Sequence, residues 1–224
     1  MNKVWSVAFL LSCLVLNLKA YYQQEVKYDI KVFLDDQEHT LHAFEEVIYI
    51  NNSPDTLNEI YMHLWPNAYQ ANTALDKQLV EDRNMLLYFG DQAYKGFIDS
   101  LDFKVDGKKV ISLESEHKDL TNFKLNAVLL PGDSIVITTP FRVKIPYGEV
   151  SRLGHLDGSY QITQWYPKPA VFDHKGWHPI PYLNQGEFYS EYGSFDVSIT
   201  VPKNYVVGAT GVLQNASEAS FLDS

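Results

Sequence analysis

The chain has 224 residues, with 28 acidic against 18 basic side chains, a formal net charge of −10 and a single cysteine, Cys13. An acidic surface with no Lys/Arg cluster repels phosphate backbones, which excludes nucleic acid as a partner. One cysteine cannot form a disulfide within the chain, and it cannot build a cysteine-ligated metal site.

At the N-terminus, Lys3 precedes an apolar stretch from Val4 to Leu16 that is broken only by Ser6, Ser12 and Cys13, and Leu18-Lys-Ala20 stands before Tyr21. A basic start, an apolar middle and a small last residue read as a signal peptide over 1–20, cut after Ala20. Its apolar part is shorter than the roughly 20 residues needed to span a bilayer as a helix, and no later segment is longer, so no membrane span is expected. The mature chain is therefore expected to be secreted or periplasmic. Two rivals exist: a retained anchor, and a lipoprotein. Leu10-Leu-Ser-Cys13 loosely resembles a bacterial lipobox, but Leu11 before Ser12 and the apolar run beyond Cys13 argue against it. Loss of Lys3 and Lys19 with the signal would take the net charge from −10 to −12.

Beyond residue 21 the apolar positions recur with period two in short runs of Val, Ile, Tyr and Phe, which is the strand signal. Residues 28–32 and 46–50 alternate, Asn51-Asn-Ser-Pro-Asp55 supplies turn chemistry, and a further run covers 60–64. Asp106-Gly107 between two alternating runs predicts a hairpin, because both positions tolerate positive φ. Pro131-Gly-Asp133 separates two more runs, and Phe195–Val201 alternates cleanly before Pro202. Val206–Leu213 reads as one more strand. Only Ala74–Asp82 reads as helix: Leu75 and Leu79 lie one turn apart, and Thr73 with Asp76 predicts a capped first turn. The expected fold is all-β, an antiparallel saddle-shaped sheet or sandwich with one short helix near 74–82. The expected division is a signal over 1–20, one β domain over 21–213 and a polar tail over 214–224.

The sequence offers no catalytic constellation. His39-x-x-His42 has usable metal spacing but no fixed third ligand, and a surface pair is the simpler reading. His174 and His178 would share a face only on a helix, and Gly176 and Pro179 make that segment a loop. There is no His-Glu-x-x-His and no Gly-x-Ser-x-Gly. No catalytic residue, metal ligand or cofactor is therefore assigned to this chain. What stands out is 158–192, which holds two tryptophans, five tyrosines, two phenylalanines and four prolines. Prolines fix the backbone and aromatics supply flat, partly polar surface, as the wall of a binding cleft needs. The plainer reading is an aromatic core beneath a long loop.

Four strings in the chain resemble the N-terminal β domain of the aminopeptidase N family of gluzincin zinc metallopeptidases, in its secreted bacterial branch. They are His63-Leu-Trp-Pro-Asn-Ala-Tyr69, Gly96-Phe-Ile-Asp-Ser-Leu-Asp-Phe103, Gln164-Trp-Tyr-Pro-Lys-Pro-Ala-Val-Phe-Asp173, and the stretch from Gly186 to Pro202. The resemblance implies a saddle domain over a downstream thermolysin-like catalytic domain, with zinc held there and none here. It also implies that this domain offers a Gln or Glu to the α-amino group of a peptide substrate. Counting back from Asp173 places Gln161 there, with Gln164 one register away and Tyr166 where the family more often has Arg. Gln161, Gln164, Trp165 and Tyr166 are thus the candidate substrate-binding residues. The alternative is a stand-alone secreted β-sandwich module that binds peptide or glycan through the same aromatic segment.

Overall fold

The computed structural model describes residues 22–148, 150–186 and 188–222, so the signal assigned to 1–20, with Cys13, lies outside the described residues. The first alternating run becomes strand β1 (Glu25–Asp35) and the second β2 (Thr40–Ile50); β3 (Leu57–His63) follows the Asn51 turn. Next come β4 (Phe97–Asp99), β5 (Lys104–Val105), β6 (Lys108–Lys109), β7 (Ser112–Glu114), β8 (Leu120–Leu129) and β9 (Ser134–Lys144). The last third holds β10 (Gly154–Leu156), β11 (Ser159–Gln161), β12 (Lys168–Pro169), β13 (Val171–Asp173), β14 (Gly176–His178) and β15 (Gly193–Thr200). Among the described residues the helices are α1 (Ala74–Glu81), α2 (Leu86–Phe89) and α3 (Ala216–Leu222), with single 3-10 turns at Trp65–Ala68 and Gln92–Tyr94.

A seven-stranded sheet runs β15-β1-β2-β9-β5-β6 with β4 also on β9, and a four-stranded sheet runs β12-β3-β8-β7. Residues paired across neighbouring strands project to one side. Val26, Tyr28, Ile30, Val32 and Leu34 of β1 therefore form one inward face with Tyr49, Val47, Glu45, Ala43 and Leu41 of β2, all buried except the half-buried Ala43. This face and Ile60, Met62 and Phe123 of the smaller sheet belong to a single core. The fold is thus all-β, as the alternation implies.

Local chemistry accounts for the turns. Asp106 and Gly107 adopt φ of 49° and 74° and close the β5–β6 hairpin. Asn51 is fully buried: its amide donates to the Asp55 and Leu129 carbonyls at 2.8 and 3.3 Å and accepts from Ser53 N and Oγ at 3.1 and 2.6 Å. The Thr73 hydroxyl accepts the Asp76 N–H at 3.2 Å, capping α1, while Asp76 Oδ2 accepts the Asn72 N–H at 2.7 Å.

Three local expectations are corrected. β15 joins β1 in parallel, so the large sheet is mixed. Gly193 permits that approach, since a Cβ there would lie 2.8 Å from the Val26 carbonyl oxygen. Residues 206–213 alternate but pair with no strand among the described residues, and Val206 and Val212 are exposed. Segment 174–178 is part of a β13–β14 hairpin rather than an open loop: 174–175 make the tight turn and Gly176, at φ 99°, opens β14. The expected helix forms as α1, and two shorter ones, α2 and α3, accompany it.

Candidate functional site

The aromatic segment divides into an inner part and a rim. Trp177 packs against Tyr49, Tyr61 and Phe172 with ring centroids 6.3, 5.6 and 5.1 Å apart. Tyr182 is buried; its N–H donates to Asp119 Oδ2 at 2.6 Å, and its hydroxyl accepts from Tyr69 Oη at 3.0 Å. The Trp65 indole N–H reaches the Ile180 carbonyl at 3.1 Å. Tyr49, Trp65, Tyr69 and Tyr182 are core, and the half-buried Trp177 and Phe172 pack against it. The rim is 161–166, where each side chain is half-buried or exposed.

Gln161 ends β11, opposite Gly154 of β10, and projects into solvent. Its hairpin is fixed by Tyr160, whose hydroxyl lies 2.7 Å from His39 Nδ1, while the His39 ring stacks on His155 at 3.7 Å. His39 thus partners His155, and His42 partners Thr40 at 3.1 Å, so the 39/42 pair does not act as a unit. Burial pushes the His155 imidazole down to about 4, with the neighbouring His39 and Lys144 adding to the effect.

Gln164 has φ 54°, a left-handed conformation that turns the chain sharply, and its Oε1 accepts a hydrogen bond from Lys168 Nζ. Trp165 packs on Phe141 at 5.9 Å. Tyr166 meets Tyr28, Trp165 and Phe195 edge-on at 5.4, 5.5 and 5.9 Å. Its hydroxyl is pushed up to about 12 by burial and by the nearby charge of Glu45. Gln164, Trp165 and Tyr166 therefore form one ridge, with Gln161 beside it on the hairpin and not bonded to it.

Beneath the ridge lies a group that sequence reasoning missed. Lys168 is 4% exposed, and its Nζ sits 4.5 Å from the centre of the Trp65 ring and 4.7 Å from that of Tyr166. Across the β12–β3 ladder it is paired with His63, which is fully buried and stacked on Trp65 at 4.4 Å. Glu45 approaches from the large sheet, fully buried, with no hydrogen bond to either carboxylate oxygen. Burial pulls the Lys168 ammonium down to about 7, partly opposed by Glu45, and drives Glu45 well above the usual carboxylate range, partly opposed by Lys168. One sequence signal existed: Glu45 falls in phase with Ala43, Val47 and Tyr49, so alternation alone put it on the inward face.

The ridge continues into an uncovered surface. Phe195, Val197 and Ile199 pair with Tyr28, Ile30 and Val32 and so share the core face. Yet they are 49%, 38% and 43% exposed, since among the described residues only Tyr166 is seen to reach over this face, at Phe195. Phe195 stacks on Tyr28 at 4.5 Å, and Tyr192 beside it is 83% exposed.

A further polar cluster gathers around Asp173. Asp173 Oδ1 lies 2.8 Å from His178 Nε2, and Tyr189 donates to Oδ2 at 3.2 Å. Partial burial opposes ionisation of Asp173, but the bonds from His178 and the Lys175 N–H outweigh it and hold the carboxyl at about 2. Among the described residues no group of three His, Cys, Asp or Glu is placed to hold a metal ion, and no helix is long and apolar enough to cross a membrane.

No protein-family model and no curated protein matches the chain. Solved structures do. An M1 zinc metallopeptidase from Deinococcus radiodurans, in a mutant bound to a Tyr-Ser-Ala substrate, superposes with a TM-score of 0.50 at 14% identity. The match covers 86% of this chain and 36% of that one. Another structure of an M1 zinc metallopeptidase from that organism gives 0.48 at 13% identity, with 86% and 36% covered. The chain thus spans about a third of the length of these structures (36%), and it shares its fold with that portion of an M1 zinc metallopeptidase.

Proposed function

We propose that this chain is the non-catalytic β domain of a secreted zinc metallo-aminopeptidase and lines one side of its peptide cleft. The observation that carries the reading is the fold shared over 86% of this chain with only 36% of an M1 zinc metallopeptidase. The open face of β15 supports it: three core-side residues left uncovered are what a sheet presents when another domain completes the layer. In this reading a thermolysin-like domain supplies the zinc and the base and packs over Phe195, Val197 and Ile199. The ridge of Gln164, Trp165 and Tyr166, with Gln161 beside it, faces the peptide. This domain alone has no hydrolytic activity.

The aromatic rim favours one other reading, a stand-alone module in which Trp165 and Tyr166 bind peptide or glycan directly. Nuclear magnetic resonance on labelled mature chain, titrated with a tripeptide amide and separately with oligosaccharides, tests both. Peptide-induced shifts confined to 161–166 and weaker than millimolar affinity support a cleft wall that needs its partner domain. Tight saturable glycan binding supports the module. Peptide shifts elsewhere, or none, remove the ridge from the account.

A further inference from the structure

The contact between Lys168 and Gln164 fixes which end of an amide faces outward. An ammonium has three donors and no acceptor. Only the carbonyl oxygen of Gln164 can face Lys168 Nζ, and Oε1 does. Lys168 cannot turn away: its Nζ is held between the Trp65 and Tyr166 rings, and its strand is paired with His63. The left-handed backbone at Gln164 sets the direction in which its side chain leaves the chain, and the contact with Lys168 fixes where the amide ends. Among the described residues the Gln164 amide nitrogen makes no hydrogen bond, and it is not among the buried unpartnered atoms, so it is at least partly open to solvent.

We propose, resting on the cleft reading above, that Gln164 recognises a hydrogen-bond acceptor of the ligand, a carbonyl or carboxylate, and that Lys168 is the positioning residue that makes it do so. An ammonium is the wrong partner at this point. It would face two N–H donors, with the Lys168 cation behind them. If the ridge meets the free amino group of a peptide, the contact belongs to the exposed acceptor of Gln161. Gln164 then holds a carbonyl farther along the same peptide. This divides the two glutamines by chemistry: Gln161 takes the donor end, and Gln164 takes an acceptor.

The test uses the whole mature chain, with the side-chain amide of Gln164 observed by 15N resonance. It is run at slightly acidic pH, where Lys168, pulled down by burial to about 7, still carries its proton. Acetate and methylammonium are the probes. Acetate is expected to shift the Gln164 amide and methylammonium to leave it unmoved. Gln164→Glu keeps the contact with Lys168 but removes the donor, so the acetate response is lost at the neighbouring Trp165 and Tyr166 backbone amides. Lys168→Met frees the amide to rotate, and the preference for acetate over methylammonium disappears while the fold, read from the remaining spectrum, stays intact. Equal or greater response to methylammonium in the unmodified chain, or no response to either probe, overturns the proposal. So does an acetate response retained in Gln164→Glu. The tripeptide titration is independent of these outcomes. Failure there with success here would reject the peptide cleft and leave the orientation of Gln164 standing.

Discussion

Replacing His63 with leucine should flatten the response of the fold to acid. His63 is fully buried, stacked on Trp65, with no hydrogen bond of normal geometry to either ring nitrogen. Burial, and then the charge of Lys168, pull its imidazole from an ordinary value of 6.5 to about 3, only slightly offset by the nearby His178 backbone. Because the folded value is depressed, the unfolded chain binds the extra proton between those limits. The native state therefore loses stability as pH falls from 6.5 toward 3. One proton corresponds to a slope of about 1.4 kcal/mol per pH unit, and the whole window to on the order of 5 kcal/mol. Urea unfolding of residues 21–224, unmodified and with His63→Leu, at a series of pH values isolates this contribution. A constant offset from altered packing cancels in the comparison of slopes, and the carboxylates contribute equally to both proteins. Lys168 keeps its proton throughout that range, since its own value of about 7 lies above it. The unmodified chain should lose roughly 1 kcal/mol per pH unit more than the variant between pH 6 and pH 4. Parallel slopes would show that His63 is protonated in the native state or exposed in it, and would refute the burial argument.

Other predictions follow from single contacts. The Tyr69 hydroxyl accepts the N–H groups of Arg152 and Leu153 at 3.2 and 3.0 Å, so Tyr69→Phe should destabilise the fold by about 2–4 kcal/mol in urea unfolding. Loss of less than about 1 kcal/mol would mean that water replaces the hydroxyl. Thr73→Ala removes the cap of α1 and should cost ~1 kcal/mol by the same measurement, with Thr73→Ser restoring most of it. The isolated chain should self-associate through β15, and Val197→Lys should shift it toward monomer in sedimentation experiments while leaving the melting temperature almost unchanged. A monomeric unmodified chain at high concentration would contradict the uncovered-face argument.

Much of the fold was legible because β1, β2, β9 and β15 each bury or present one face and so carry a clean period of two. The cap at Thr73 and the Asp106-Gly107 turn were legible because each rests on contacts within a few residues. The parallel pairing of β15 was not, because it joins Gly193 to Val26 across most of the chain and no local pattern encodes direction. Residues 206–213 misled for the opposite reason: alternation signals a strand, but a strand needs a neighbour, and none stands beside it among the described residues. Segment 174–178 misled because Gly176 and Pro179 mark a turn equally well in a loop and in a hairpin. At the candidate site, the aromatic density of 158–192 was visible, but its division into core and rim depends on the second sheet. Lys168 was invisible, since a lysine between two prolines reads as a surface residue until Trp65, Tyr166 and Glu45 are folded around it.

The central claim concerns what accompanies this domain, and the reading frame beyond codon 224 tests it most directly. Sequencing the gene and its transcript across that codon should reveal a continuous frame that encodes His-Glu-x-x-His within a thermolysin-like segment. A stop codon directly after Ser224 in both would contradict the account and leave the stand-alone module as the reading to pursue.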